Sequence, residues 1–329
     1  MSFGKKITLA NGETIPQLGL GTWLSAPGEV GKAVEIAIRN GYRHIDAAMV
    51  YRNQNEVGDA LKKVIPSVVK REELFITSKL WNHNHHAADV EKELDETLAQ
   101  LGLDYIDLYL IHWPIAFPTG NLITKSTEKE ELVVDTSVSL VETWTAMTKL
   151  PKSKVKSIGV SNFSPAHIEG IAKATGVWPV VNQIEAHPLL QQDELDAFSK
   201  EHNIHITAYS PLGHSLEGGK MLIDYPEVKE VAEKLNVEPA QVLIAYAIHR
   251  GYSVVPKSVT ESRIIKNFQQ IELSAEDYAK IAALKEKYGH KRFNVPITYN
   301  YPPNDLKWDI NIFDEEVEKS ATNQINIGA

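Results

Sequence analysis

Apolar residues follow two alternating rhythms along the chain. Eight short apolar runs have the length and β-branched content of buried strands: Leu18–Gly21, Tyr42–Ala47, Leu74–Ser78, Ile106–His112, Ser157–Val160, Val180–Ile184, Ile206–Tyr209 and Ser253–Val255. Between them the apolar positions fall at helical spacing. In Ala87–Leu101, for example, Val90, Leu94, Leu98 and Leu101 share one face and charged residues occupy the other. Ser164-Pro165 predicts an N-cap followed by a proline in the first helical position, and Ser274 with Asp277 predicts a capping box. Ahead of the first run, Lys5 to Leu20 predicts a hairpin, with Asn11-Gly12 suited to a type I′ turn.

Eight buried strands separated by helices either close into a barrel or lie open as a doubly wound sheet. The polar residues decide between these. Asp46 lies at the end of the second strand, Lys79 just after the third, His112 at the end of the fourth and Ser161-Asn162 just after the fifth. Gln183 and Glu185 lie at the end of the sixth, Tyr209-Ser210 at the end of the seventh and Lys257-Ser258 beyond the eighth. An open sheet scatters such residues along an edge, whereas a barrel gathers them on the rim where sites of this fold are built. The expected fold is therefore α/β, a (β/α)8 TIM barrel with an N-terminal β-hairpin. Two segments stand outside the repeat: residues 118–139 after the fourth strand, and the tail 291–329, which carries Phe293, Tyr299, Tyr301 and Trp308. Connectors of this length act as lids or binding elements, so the tail is expected to be a long substrate loop.

Length alone, 329 residues, leaves one or two domains open; the barrel reading makes 1–329 one domain. A hydrophobic share of 43% argues against extensive disorder, and a net charge of −9 disfavours nucleic acid or an acidic membrane as the main partner. Zero cysteines exclude disulfides, thiolate nucleophiles and cysteine zinc sites. Residues 1–25 carry no apolar core of a signal peptide, and no stretch of ~18 apolar residues occurs. A cytoplasmic protein is expected.

Asp46, Tyr51, Lys79 and His112 lie at or just beyond the ends of successive strands. Taken singly, each has a mundane explanation as a cap, a half-buried ring, a surface charge or a core histidine. Together they outline a mechanism. A phenol with a pKa near ~10 is a poor acid at neutral pH, and a neighbouring ammonium eases its ionisation. Lys79 can supply that charge and Asp46 can hold it, while His112 can orient a carbonyl oxygen or help relay the proton.

Five segments carry a resemblance to a known family: Gly41-Tyr42-Arg43-His44-Ile45-Asp46-Ala47-Ala48, Ile76-Thr77-Ser78-Lys79-Leu80-Trp81, Ile111-His112-Trp113-Pro114, Gly159-Val160-Ser161-Asn162-Phe163 and Val254-Val255-Pro256-Lys257-Ser258. In this order and spacing the chain resembles the aldo-keto reductase superfamily over nearly its whole length. The fungal aldose, aldehyde and glycerol-type reductases look nearest, from Leu150-Pro151-Lys152-Ser153-Lys154-Val155 and Trp308-Asp309-Ile310. The resemblance implies reduction of an aldehyde or ketone by hydride from NADPH, with the family's tetrad at Asp46, Tyr51, Lys79 and His112 and Tyr51 as proton donor. It implies nicotinamide contacts at Ser161, Asn162, Gln183 and Tyr209, further cofactor contacts at Ser210 and Leu212, and the adenosine half at Lys257, Ser258, Arg263 and Asn267. It also implies a substrate pocket lined by Trp23, Trp81, Trp113, Phe117 and Trp308, and a monomer acting on a small-molecule carbonyl substrate.

Two residues depart from the family pattern. Gln54 stands where a glutamate is common, and Lys266 where a glutamate often bonds the adenine amino group, which would add positive charge near a 2′-phosphate. The alternatives are a cofactor-binding regulatory protein on the same barrel, as in relatives that serve as channel subunits, or an NADP-dependent alcohol or glycerol dehydrogenase. Other motifs weigh little. Asn82-His83-Asn84-His85-His86 contains no carboxylate and is expected to be a loop without metal. Gly19-Leu20-Gly21 lacks a third glycine, and Gly159-Val160-Ser161-Asn162-Phe163 lacks the closing glycine of a nucleophile elbow.

Overall fold

The computed structural model describes residues 5–127, 131–213, 220–298 and 306–328. Strands β1 (Lys6–Thr8) and β2 (Thr14–Pro16) pair antiparallel as the expected hairpin. Its turn is not type I′, because that turn needs two consecutive residues at positive φ and only Gly12 has one (+86°). Instead Leu9 and Gly12 close a four-residue turn (Gly12 N to Leu9 O, 2.9 Å), and Gly12 supplies the left-handed step before Leu9 N reaches Glu13 O at 2.8 Å. Leu9 and Ile15 pack on Phe75, Leu108, Val180 and Val181, so the hairpin plugs the end of the barrel where the strands begin.

All eight sequence-predicted strands are present: β3 (Leu20–Gly21), β4 (His44–Asp46), β5 (Phe75–Leu80), β6 (Ile106–Ile111), β7 (Val155–Ser161), β8 (Val181–Glu185), β9 (His205–Tyr209) and β10 (Ser253–Val254). They pair parallel in sequence order. Parallel bridges Leu18–Val254 and Gly21–Lys257, with Gly19 N to Val254 O at 2.9 Å, join the last strand to the first and close the ring. Every residue of β5 and β6 is buried, as expected of strands covered on both faces.

The surrounding helices are α1 (Val30–Arg39), α2 (Gln54–Val64), α3 (Ala87–Leu101), α4 (Leu140–Thr148), α5 (Pro165–Thr175), α6 (Asp193–Glu201), α7 (Pro226–Leu235), α8 (Pro239–His249), α9 (Glu261–Phe268), α10 (Ala275–Ala282) and α11 (Leu284–Tyr288). In α3 the four residues named above are buried. Ser164 caps α5 by accepting the His167 N–H, with Pro165 in the first turn. Ser274 caps α10 likewise, but the Asp277 side chain receives the Ser274 hydroxyl at 2.7 Å instead of closing a box on the backbone. Among the described residues no helix is long and apolar enough to cross a membrane.

The two segments outside the repeat meet each other. Leu132 N donates to Lys307 O at 2.9 Å, and Leu132 packs in one apolar cluster with Trp81, Phe117 and Trp308. The tail then runs down the outside of the barrel, where Leu140 N and Val141 N of α4 donate to Asn326 O and Ile327 O. Tyr299 and Tyr301 lie outside the described residues.

Candidate active site

Strand geometry delivers the four candidate residues to one point. Asp46 ends β4, Lys79 lies in the last turn of pleat of β5, and His112 is the residue after β6. Tyr51 arrives differently, at the end of a 3-10 turn (Met49–Tyr51) whose following residue, Arg52, takes a left-handed φ of +56°. Lys79 Nζ donates to Asp46 Oδ2 at 2.7 Å, to Ala47 O at 3.0 Å and to Tyr51 Oη at 3.3 Å. The lysine is fully buried, so all three of its N–H bonds are made inside the protein. Burial draws the Lys79 pKa below its ordinary value, and the charge and hydrogen bond of Asp46 oppose that shift. The His112 ring meets the Tyr51 ring edge to face, with centroids 5.7 Å apart. Burial, reinforced by the Lys79 cation and by His85, holds His112 well below the usual histidine range, so the imidazole is neutral at pH 7.

A second network sits on the neighbouring strand ends. Asn162 (φ +65°) donates to His112 O at 3.0 Å and to Ser161 Oγ at 3.2 Å, and accepts from Tyr209 Oη at 2.7 Å. Ser161 Oγ donates to Gln183 O, and Gln183 Nε2 donates to Asp46 Oδ1, both at 2.8 Å. Both networks face a cavity of about 290 Å³ at the mouth of the barrel. Tyr51, His112, Ser161, Asn162, Gln183, Tyr209, Ser210 and Leu212 line it together with Trp23, Trp81, Trp113 and Trp308, while Lys79 lies beneath it.

Comparison with known proteins shows the family. The Aldo/keto reductase family matches over residues 17–286. The chain belongs to the aldo/keto reductase family. It is 51% identical to a D/L-glyceraldehyde reductase of Hypocrea jecorina over 98% of each chain. It is 43% identical to a glycerol 2-dehydrogenase (NADP(+)) of Saccharomyces cerevisiae over 88% of this chain and 93% of that one. The solved aldose reductase of Schistosoma japonicum superposes with a TM-score of 0.84 at 39% identity, over 95% of this chain and 99% of that one. The protein is therefore an oxidoreductase of a family that works with a nicotinamide cofactor.

In this aldo/keto reductase the aromatic wall is built from distant segments. Trp308, from the tail, packs against Trp113 (5.3 Å), Phe117 (5.1 Å) and Trp81 (5.9 Å). Phe117 stands behind these rings, fully buried, instead of on the cavity wall where the resemblance puts it. The long loop adds Leu122 O, which receives the Trp81 indole N–H at 2.6 Å.

The residues expected at the adenosine half are spread along the eighth strand end and α9. Lys257 lines the cavity and donates to Leu24 O at 2.7 Å, with burial lowering its pKa. Ser258 Oγ accepts from Thr260 N, just before α9, whose first turn has no side-chain cap. Arg263 is exposed on α9 and Asn267 is buried on it. Lys266 forms an ion pair with Glu238, so its charge is matched and is not simply added near a phosphate as the sequence alone led one to expect. Gln54 is buried and neutral in a polar contact set, accepting from Ser78 Oγ at 2.6 Å and donating to Gln100 Oε1 at 3.0 Å.

The histidine-rich loop does contact carboxylates, brought from other segments: His86 reaches Asp135 at 3.0 Å and His83 reaches Glu93 at 3.5 Å. Among the described residues no group of three or more His, Asp or Glu side chains is arranged to hold a metal. Sequence reasoning missed Thr22, which fixes the end of β4 through Asp46 O (2.8 Å), and Asn294 of the tail, which also lines the cavity. Applying the polar strand-end criterion to the first strand finds Thr22. Nothing local marks Asn294, whose place depends on where the tail folds back.

Proposed function

We propose that the protein reduces aldehydes of the glyceraldehyde class with NADPH, Tyr51 giving the proton to the carbonyl oxygen. The observation that carries this reading is the Tyr51 hydroxyl 3.3 Å from the buried Lys79 ammonium, in the wall of an aromatic-lined cavity. When bound, the nicotinamide supplies the hydride. Lys79, held by Asp46, stabilises negative charge developing on the phenol oxygen and so eases proton release. His112, neutral, orients the carbonyl oxygen by a hydrogen bond and leaves the acid role to Tyr51. Trp23, Trp81, Trp113 and Trp308 exclude water from the reacting carbon.

Ser161, Asn162 and Gln183 suit a carboxamide because side-chain amides and a hydroxyl offer both donors and acceptors. Gln183 commits one amide proton to Asp46, which leaves its second proton and its oxygen for the ligand. Lys257, Ser258, Arg263 and the start of α9 would hold the 2′-phosphate by charge and by helix amides. The tail supplies Asn294 and Trp308 to the wall and the 118–139 loop braces it from behind through Leu122 and Leu132, so residues 1–329 act as one catalytic unit. The same site run backwards, with the Tyr51 phenolate taking the proton, oxidises a glycerol-type alcohol, in keeping with the yeast relative's name.

The direct test follows NADPH absorbance with purified protein and D,L-glyceraldehyde. Saturable consumption is expected, faster than with NADH. Cofactor binding without consumption of any short aldehyde would overturn the reading in favour of a regulatory protein.

A further inference from the structure

Glu185 is the last residue of β8, fully buried, and pairs in register with Tyr209 of β9. The proton and hydride chemistry above gives it no task, yet its carboxylate is among the most heavily bonded groups in the protein. Oε1 accepts from His187 Nε2 at 2.8 Å and from Phe293 N at 2.7 Å. Oε2 accepts from Asn294 N at 2.8 Å and from Asn294 Nδ2 at 2.9 Å. Burial alone raises a carboxyl pKa, but the His187 contact, the Arg292 charge and the Phe293 amide overcome it and hold Glu185 below the usual range. An ionised carboxylate with four donors fixes whatever carries them.

Three of those donors belong to the tail, 108 and 109 positions away in sequence. The preceding residue but one, Lys291, is tied to Leu189 O at 3.1 Å. The Phe293 ring lies over Gly213, so closely that a Cβ on that glycine would come within 2.9 Å of it. Asn294 lines the cavity and extends its amide to Ser210 Oγ at 3.3 Å. The tail segment therefore crosses the ends of β8 and β9 as a strap, and the buried Glu185 carboxylate fastens it to the barrel.

We propose that Glu185 is a positioning residue for substrate binding: it clamps the Phe293–Asn294 backbone onto the barrel rim and so sets the part of the cavity wall that Asn294 forms. The proposal rests on the reductase reading of the cavity. Glu185 touches neither the Tyr51 phenol nor Lys79, so its effect falls on how the carbonyl compound is held, not on the proton donor.

The test compares wild type, Glu185→Gln and Asn294→Ala by steady-state kinetics with glyceraldehyde and NADPH, and by amide hydrogen exchange of the strap. In Glu185→Gln an NH2 replaces one acceptor oxygen and opposes the N–H donors on that side. KM is expected to rise about tenfold or more, with kcat changed by no more than about twofold, the pattern of lost ground-state and transition-state binding alike. Exchange protection at Phe293 and Asn294 should fall by a similar factor while the amides of β9 keep theirs. Asn294→Ala leaves no buried charge unpaired and guards against a misfolded Glu185→Gln. It should raise KM in the same way, and where both fold the double variant should add little, because the two residues act through one strap. A wild-type KM in both single variants, unchanged strap protection, or a loss of protection spread evenly over the barrel strands overturns the clamp. A wild type that does not consume NADPH sinks the reductase reading itself, whereas a working wild type with unaltered variants sinks only the clamp.

Discussion

Gln183 Nε2 reaches across the barrel mouth from β8 and donates to Asp46 Oδ1 at 2.8 Å, while Lys79 holds the other oxygen of the same carboxylate. The side chain proposed to bind the cofactor carboxamide is thus one hydrogen bond from the ion pair proposed to serve the proton donor. The two halves of the site share Asp46.

Gln183→Ala is therefore expected to weaken NADPH binding by up to about tenfold, the scale of a neutral hydrogen bond of roughly 0.5–1.5 kcal/mol, and to lower kcat by about tenfold or more, because the lost bond to the Asp46 carboxylate is worth roughly 1.5–3 kcal/mol. Fluorescence titration beside steady-state kinetics separates the two effects. A change in affinity with kcat untouched would mean that the Asp46 contact carries no functional coupling.

Tyr51→Phe removes only the hydroxyl that faces Lys79 Nζ. Turnover should fall by about a hundredfold or more, the usual scale for a positioned acid, with NADPH affinity retained. Near-normal turnover would remove Tyr51 from its role.

Lys79→Met deletes the cation but leaves Asp46 buried, with its Gln183 contact as partial compensation. Turnover should collapse, and the protein should also lose about 3 kcal/mol or more of stability, because the carboxylate is left buried without its counter-charge. Urea titration reads the second effect. The double variant Lys79→Met with Asp46→Asn should recover stability without recovering turnover, which distinguishes the electrostatic cost from the chemical one.

Arg263 is exposed on α9 and Lys266 is already paired with Glu238. Arg263→Ala should weaken NADPH by about tenfold or more, the scale of a charge-assisted bond, while NADH affinity changes little. Lys266→Ala should leave the ratio of the two affinities close to wild type. Equal loss of both cofactors in Arg263→Ala, or a large NADPH-specific loss in Lys266→Ala, would reverse the assignment.

His44, His85 and His167 are held neutral by burial, with pKa values lowered to about 4, about 3 and about 4. The unfolded chain binds protons on these rings near pH 6.5 and the folded one does not. Their contribution to stability is thus complete above pH 6.5 and is lost as the pH falls through their folded values. A shift of this size is on the order of 3 kcal/mol per ring at the limit. Calorimetry from pH 7 to pH 4 should show Tm falling steadily, and His167→Gln should flatten the slope. A constant Tm down to about pH 4.5 would contradict the burial argument.

The alternation of strands and helices was legible in the chain because both periodicities are local, and so were the strand-end residues, because a barrel brings all of one set of ends to one rim. Asp46, Lys79, His112 and Asn162 needed no more than that, and Tyr51 came with them through the short turn that follows β4. Lys79, expected just after the third strand, proved to lie just inside it, an offset within the usual uncertainty of element ends.

What only the tertiary structure decided lies in the segments without a period. Gly12 alone taking a positive φ made the hairpin turn different from the one Asn11-Gly12 suggests. Phe117 retreated behind Trp308, Lys266 found Glu238, and Asn294 came to the cavity through Glu185. Each outcome rests on contacts between residues far apart in sequence. Strand and helix patterns report which face of an element is buried, but not which distant side chain meets it, and loop conformation is set by those partners. The chain by itself thus determined the barrel and the chemistry its rim can hold, and the fold-back of the tail determined the shape of the space in which a substrate must fit.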